Sequence, residues 1–401
     1  MGFNIKNNIY LVGNVDWEIE SYQGYKYSTH KGTSYNAYLI KEQKNVLIDT
    51  VDTPFTEVFI RNLKNEIDLK NIDYIVINHG EPDHTGALPT LMKLIPDTPI
   101  YCTKNAIKSL RGQYHQDWNF NIVKTGDKLD LGDKELVFVE MPLLHWPDSM
   151  LCYLTKDNMI FSNDAFGQHY ATSAIYNDLV DQCELQIESL KYYANILTPY
   201  NLKVIKKIEE ILSLNLAIDM ICPSHGVIWR DNPAQIIELY LKWAQDYQEN
   251  QITILYDTMW ESTSIMAEAM AEGIRKSDET TIIKLVHLSK QDKNDVITEI
   301  FKSKAILVGS PTVNKGVLSS ISAIFEIIKS LEFKNKKAAS FGSYGWSGES
   351  TKIINTKLLE SGFSLVNDGL QMMWKPDEDA IKECTLFAKE FSDSLKDEPL
   401  T

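Results

Sequence analysis

The sequence predicts an α/β chain of two units: a mixed sheet sandwich with helices outside it over residues 1–249, then a doubly wound parallel sheet over residues 250–401. Three observations predict it. The chain has 401 residues and is 44% apolar, enough for more than one sizeable core. Up to about residue 250, strand-like and helix-like runs follow one another without a fixed order. Beyond it, strand and helix alternate regularly, which is the pattern of a parallel sheet covered on both faces.

The elements follow in order. "NAYLIKEQKNVLIDT" reads as two short strands around a polar turn. "TPFTEVFIRNLKNEI" has helical periodicity and opens on Thr53-Pro54, a cap followed by proline at the first helical position. "NIDYIVI" is a strand with a near-continuous apolar face, as expected where both sheet faces are covered. "PIYCT", "ELVFVEM", "SMLCYLT" and "NMIFS" are further strands. "DQCELQIESLKYYANIL" and "LKVIKKIEEILSLN" are amphipathic helices, "IDMICPSHG" is a strand running into a polar loop, and "NPAQIIELYLKWAQDYQEN" is a helix closing the unit. The second unit then reads "QITILYD", "TTIIKLVHLS", "KAILVGSP" and "KKAASFG" as strands. "STSIMAEAMAEGIRK", "NDVITEIFK", "ISAIFEIIKSLEF" and "STKIINTKLLESG" follow them as helices.

Composition excludes several classes. A formal charge of −15 with no long basic block argues against nucleic acid or anionic lipid as the main partner. The N-terminus has no signal-peptide core, Lys6 stands where a myristoylation pattern needs Ser or Thr, and no window approaches a membrane span. A soluble cytoplasmic protein is expected. Cys102, Cys152, Cys183, Cys222 and Cys384 are far apart and form no C-x-x-C, so they are expected to be buried small hydrophobes in a reducing compartment.

Chemistry concentrates at strand ends. "NHGEPDHTGALP" places His79, Glu81, Asp83 and His84 directly after the strand "NIDYIVI". "MPLLHWPDSM" puts His145 after another strand, "MIFSNDAFG" puts Asp164 after a third and "MICPSHG" puts His225 after a fourth. Collecting His, Asp and Glu from several strand ends is how one sheet edge assembles a metal site from distant sequence. The set resembles the metallo-β-lactamase fold, whose zinc hydrolases mostly carry His where this chain has Glu81. That glutamate enriches the site in oxygen donors and shifts preference from zinc towards iron. Three carboxylates against two divalent ions also leave a near-neutral cluster, which a low-dielectric pocket can hold.

A second set follows the strands of the second unit. Thr258, Ser262 and Thr263 offer hydroxyls beside backbone N–H groups where a helix starts, a phosphate cradle that lacks both the triphosphate and the dinucleotide glycine patterns. This short loop resembles that of flavodoxin, whose ligand is FMN. Met259 and Trp260 lie in the same loop. Pro311, Thr312 and Asn314 end the third strand, and Ser343, Tyr344, Gly345, Trp346 and Gly348 end the fourth. The aromatics are placed to stack on or wall a flavin ring, and the glycines to let backbone approach it.

The two sites in this order resemble a flavodiiron protein, also called an A-type flavoprotein, over nearly the whole chain. The resemblance is carried by "HGEPDHTGALP", "HWPDSM", "NDAFGQHYA", "PSHG", "YDTMW", "GSPT" and "FGSYGWSG". It implies a metallo-β-lactamase-like αββα sandwich followed by a flavodoxin-like domain, and FMN with two iron ions as cofactors. It implies His79, Glu81 and His145 on one iron, Asp83, His84 and His225 on the other, and Asp164 bridging. The implied activity is reduction of O2 to water, of NO to N2O, or both, in a short two-domain form. Electrons are expected from a separate donor, rubredoxin or a similar small redox protein, or reduced coenzyme F420. A head-to-tail homodimer, or a dimer of such dimers, is expected to bring flavin and iron together. His30, His169 and Tyr193 are expected to place hydrogen-bond donors near the irons. The alternative reading is a zinc hydrolase of the same fold with an accessory flavodoxin-like domain.

Overall fold

The computed structural model describes residues 2–24 and 26–396. The chain divides into two compact units, Met1–Ala244 and Gln245–Thr401. Among the described residues no helix is long and apolar enough to cross a membrane.

The first unit stacks two sheets. One has seven strands, ordered Phe3–Lys6, Ile9–Leu11, Tyr38–Ile40, Val46–Ile48, Tyr74–Val76, Ile100–Cys102 and Phe120–Ile122. The other has five, ordered Lys128–Asp130, Glu135–Glu140, Met150–Leu154, Met159–Asn163 and Met220–Pro223. The period-2 side-chain alternation of a strand assigns the faces. Tyr38, Ile40, Val46, Ile48 and Val76 turn inward against Phe138, Cys152, Leu154, Phe161 and Cys222 of the second sheet. Their neighbours Leu39, Leu47 and Ile75 turn outward onto Phe59, Leu63, Leu91 and Leu110 of the covering helices. Strands buried on both faces explain why "NIDYIVI" shows no polar alternation.

Three local expectations change. The segment from Thr53 opens not with a Thr53 cap but with Asp52, whose carboxylate accepts from Thr53 N at 2.6 Å; Thr53–Phe55 is a 3-10 turn leading into the helix Thr56–Glu66. A carboxylate at this position reaches the free N–H groups of the first turn, and Pro54 fits inside that turn because it has no N–H to satisfy. The closing helix ends at Ala244, and Glu249 already belongs to the next strand. Cys183 is exposed at a helix start, whereas the other four cysteines are buried.

The second unit is one parallel sheet, ordered Ile282–His287, Glu249–Tyr256, Ser303–Gly309 and Lys337–Tyr344, with Ser364–Leu365 and Leu370–Met373 both beside the last. The first strand in sequence has the second on one side and the third on the other, so the winding reverses there. Crevices that bind ligands in such sheets lie outside the carboxyl ends at this reversal. A helix not read from the sequence, Glu378–Ser394, completes the core: Cys384, Ala388 and Phe391 pack with Met266, Met270 and Ile274 of the helix Ser262–Ser277.

Candidate metal centre and flavin site

Each strand end delivers its side chains through a short irregular segment. Glu81 occupies the cap position of the helix Pro82–Thr85, which carries Asp83 and His84. His145 follows the strand Glu135–Glu140, Asp164 follows Met159–Asn163, and His225 follows Met220–Pro223. Gly226 sits beside His225 at φ 76°, and a Cβ there would lie 2.0 Å from Gln168 Oε1 and 2.6 Å from its carbonyl, so only glycine fits.

The seven predicted side chains converge on one buried cluster. His79, Glu81 and His145 gather their donor atoms in one group, and Asp83, His84 and His225 in a second. Asp164 lies between them. Its Oδ1 is 3.1 Å from His84 Nε2 and 3.4 Å from His225 Nε2, while its Oδ2 is 3.2 Å from His145 Nε2 and 3.8 Å from His79 Nε2. Glu81 Oε2 stands 3.1 Å from His79 Nε2 and 3.5 Å from His145 Nε2. Asp83 Oδ2 stands 3.2 Å from His84 Nε2 and 3.1 Å from His225 Nε2. All four imidazoles thus aim the same nitrogen inward.

Second partners fix two of these rings. His79 Nδ1 lies 2.8 Å from Asp148 Oδ1, and Gly80 N donates to Asp148 Oδ2 at 3.2 Å. His225 Nδ1 lies 2.6 Å from the carbonyl of Ser34. A carboxylate or carbonyl can only accept, so both Nδ1 atoms carry a proton and Nε2 is the nitrogen each ring can offer a metal. Tyr22 donates to Asp83, and the Gln23 amide donates to Glu81. Trp146 packs edge-on to His79 with ring centroids 4.9 Å apart.

Electrostatics mark a site built for cations. Burial opposes charge on His79, but its hydrogen bonds to Asp148 and Glu81 outweigh that and raise it well above the ordinary value. Burial likewise opposes charge on His225, while Asp164 and Asp83 raise it to about 10. Burial alone would raise Asp164; the surrounding histidines, His84 foremost, instead hold it well below the carboxylate range. Asp83 Oδ1, Asp164 Oδ2 and His84 Nε2 are buried without a partner in hydrogen-bond geometry. Buried polar atoms left unpaired are costly. Ions held by these donor groups would give buried atoms of this kind partners, so the residues fit a dinuclear metal centre. The donor set of four imidazoles and three carboxylates suits iron.

Of the three expected neighbours, His169 lies at the cluster and the other two do not. His169 is buried, its Nδ1 is 2.8 Å from Thr33 Oγ1, and its ring sits 5.0 Å from that of His225. Burial, with the nearby His225 adding to it, holds His169 well below its usual value, so it is neutral at pH 7. His30 is exposed. Tyr193 donates to Asn201 Oδ1 at 2.8 Å and packs on Tyr240 and Trp243. The residue before it faces the site instead: Tyr192 lies 5.2 Å from the His169 ring. One helical position turns a side chain by about 100°, so the two tyrosines of "KYY" point to different surroundings. Asp148, Tyr22, Gln23, Ser34 and Tyr192 were not read from the sequence. Asp148 alone left a signal, three residues after His145 in "HWPDSM".

The second candidate site lies at the carboxyl edge of the parallel sheet. Thr258, Met259 and Trp260 form the loop before the helix Ser262–Ser277, which has no side-chain cap. Met259 and Trp260 are exposed. Thr258 Oγ1 is buried without a partner. An orphaned hydroxyl beside an uncapped helix start fits a bound phosphate. Thr263 Oγ1 lies 3.0 Å from Ser343 Oγ, Thr312 N donates to Ser343 O at 2.8 Å, and Ser350 N donates to Thr312 Oγ1 at 3.2 Å, tying the three loops together. Pro311 is buried, while Asn314 is exposed at φ 50° in the turn that follows. A Cβ on Gly342 would lie 2.3 Å from Ser310 O, which explains a glycine where these loops meet. Tyr344, Gly345 and Gly348 are half-buried around Trp346, which is 87% exposed and pairs at 6.4 Å with Trp374, a partner not anticipated. Asp257, also not anticipated, accepts from His287 Nε2 at 3.0 Å and Ser320 Oγ at 2.5 Å.

A dinuclear metal sandwich joined in one chain to a flavodoxin-type sheet defines the class. Residues 33–226 match the family described as ODP family beta lactamase, and residues 254–387 match the family described as flavodoxin. The chain is 54% identical over 394 residues to the anaerobic nitric oxide reductase flavorubredoxin of Escherichia coli, a match covering 98% of this chain and 82% of that protein. Its structure is similar to rubredoxin oxygen:oxidoreductase from Desulfovibrio gigas, with a TM-score of 0.95 and 35% identity over 99% of each chain. It is also similar to the flavodiiron protein from Giardia intestinalis, with a TM-score of 0.94 and 28% identity over 100% of this chain and 99% of that one. The chain belongs to the flavodiiron family.

Proposed function

We propose that this flavodiiron protein reduces O2 to water, NO to N2O, or both, at a non-haem diiron centre supplied with electrons by FMN. The observation that carries this reading is the division of Asp164, one oxygen towards each histidine pair. In it His79, Glu81 and His145 would hold one iron and Asp83, His84 and His225 the other, with Asp164 offering an oxygen to each. His84 belongs to the set because its Nε2 is buried, aimed inward and unpaired. Thr258, Ser262 and Thr263 would hold the FMN phosphate, and the loops of Pro311, Thr312 and Asn314 and of Ser343 to Gly348 would receive its ring. The boundary between the iron and flavin domains falls between residues 244 and 250.

When bound, the two irons and the flavin supply up to four electrons, enough to take O2 to water. The chain's own residues prepare that chemistry. Asp148 and Ser34 fix the imidazole tautomers. Tyr22 and Gln23 hold the Asp83 and Glu81 carboxylates in place, and neutral His169 and Tyr192 close the Asp83 side. A zinc hydrolase is not favoured, since Glu81 replaces a nitrogen donor and a complete flavin domain would have no task. The donor is a rubredoxin-like protein, or reduced coenzyme F420, and the enzyme works in the cytoplasm. A head-to-tail homodimer brings one subunit's flavin to the other's irons.

The decisive measurement mixes fully reduced protein anaerobically with O2 and, in parallel, with NO, following flavin and iron oxidation. Reoxidation by at least one gas is expected, and Asp164→Asn should abolish it while the flavin still accepts electrons. Two zinc ions, no iron and no reaction with either gas would overturn the reading.

A further inference from the structure

We propose that an apolar cavity beside the ligand-bearing loops of the first unit is a binding site for small uncharged diatomic gas, the store from which O2 or NO reaches the metal centre. The proposal rests on the function given above and deepens it. One wall is built from Leu144, Ala165 and Phe166. Leu144 directly precedes His145, and Ala165 and Phe166 directly follow Asp164, so the segments that present two metal ligands also form this wall. The facing wall is Val204, Ile208 and Ile211, the buried stripe of the helix Asn201–Ser213 at i, i+4 and i+7. None of these three belongs to the ligand set.

The lining selects the occupant. Its two polar side chains spend their polar atoms elsewhere. Lys207 Nζ pairs with Glu210 at 2.6 Å, and Tyr240 Oη accepts from Phe166 N at 2.9 Å. The pocket is partly open, and its lining offers a water too few of the two to four polar partners it needs, whereas apolar linings take up apolar guests such as xenon. The free space is about 30 Å³. That exceeds the roughly 10–15 Å³ needed by one water-sized sphere, so it has room for a diatomic molecule. O2 and NO are uncharged, weakly polar and poorly hydrated, and both are more soluble in such a space than in water. A store next to the ligand loops raises their local concentration without any specific polar contact.

The test uses the intact holoprotein. Crystals pressurised with xenon are expected to show an atom in this cavity in the wild type and none in Ile208→Trp, which fills it. The second-order rate constants of the reduced enzyme with O2 and NO are expected to fall several-fold in Ile208→Trp. Iron content, FMN content and flavin reduction by the donor should stay at wild-type values. Ile208→Leu, which conserves volume, should retain both the xenon site and the rates. Val204→Phe serves as the filling variant if Ile208→Trp does not fold. Absence of xenon from the wild-type cavity would overturn the proposal, as would a filled cavity with unchanged gas rates. If the wild type reacts with neither gas, it is the proposed function that falls, and the xenon experiment still reports whether the cavity takes an apolar guest.

Discussion

Asp148→Ala tests whether the metal centre depends on residues that never touch the metal. Asp148 is 1% exposed and accepts from His79 Nδ1 at 2.8 Å and Gly80 N at 3.2 Å. Removing the carboxylate strands two buried donors. Each unpaired buried group costs about 1–3 kcal/mol, so the metal-free fold should lose stability on that scale. The larger effect falls on the metal. Without its acceptor the His79 ring is free to rotate or to place its proton on Nε2, which removes a lone pair from the centre. Losing such a partner typically weakens metal binding about 10–100-fold, or about 1.4–2.7 kcal/mol. The assay is competition for iron against a graded chelator series, with FMN content and flavin reduction followed in the same samples. Iron should be lost at lower chelator strength while the flavin readings stay unchanged. Asp148→Asn should fall in between, because its amide oxygen can still accept from His79 while its NH2 group faces Gly80 N–H. An Asp148→Ala protein that holds two irons per chain as firmly as the wild type would refute the reasoning.

Other substitutions separate the sites. Thr258→Val keeps the shape of the loop but removes the buried, unpaired hydroxyl, so FMN affinity should drop by roughly tenfold with iron content intact; equilibrium dialysis of the flavin measures it. Tyr193→Phe should cost about 1 kcal/mol in thermal unfolding through its lost bond to Asn201 and leave gas turnover at the wild-type level. Metal loading should also release protons. In the metal-free fold His225 is raised to about 10, burial opposing the charge but Asp164 and Asp83 prevailing, so at pH 7 it holds a proton that a metal must displace. Affinity should therefore rise with pH towards about 10 and fall in acid, and a weakly buffered titration with ferrous ion should acidify.

What the sequence made legible divides along a physical line. The seven convergent side chains could be read because each stands at the end of an apolar run, and the position and the residue type are both local facts. The winding of the second unit was legible for the same reason, since β-α alternation repeats along the chain. The residues behind the ligands were not. Tyr22 meets Asp83 across 61 positions, and His225 meets the carbonyl of Ser34 across 191, through contacts that exist only once two sheets and a loop have packed. Tyr192 and Tyr193 show the finest case. The sequence marks both as large and helical, but which one reaches the metal pocket depends on a rotation of about 100° that a boundary error of one residue erases. The C-terminal helix escaped notice although its core positions are ordinary, because nothing in its composition distinguishes a packed helix from a polar tail until Gly273 is seen lying against it. A Cβ on that glycine would stand 2.2 Å from the Thr385 carbonyl.

The surroundings of the two proposed irons differ more than their ligands do. On the His79, Glu81 and His145 side the supporting groups are an anion, an amide and an indole: Asp148 behind His79, Gln23 on Glu81, and Trp146 against the His79 ring. On the Asp83, His84 and His225 side they are hydroxyls and an imidazole: Tyr22 on Asp83, and His169 packed between Tyr22, Tyr27 and Tyr192. Burial raises Tyr22 and Tyr192 far above the ordinary phenol value, so both remain protonated. The phenolic hydroxyls therefore collect on one half, while the other half is lined by a carboxylate, an amide and an indole. On the proposed ligand set O2 and NO meet the same seven residues, and the phenols are where the surroundings of the two halves differ. That difference would act through which half first engages the gas, because the phenols that could answer a developing negative charge on oxygen stand on the Asp83 half.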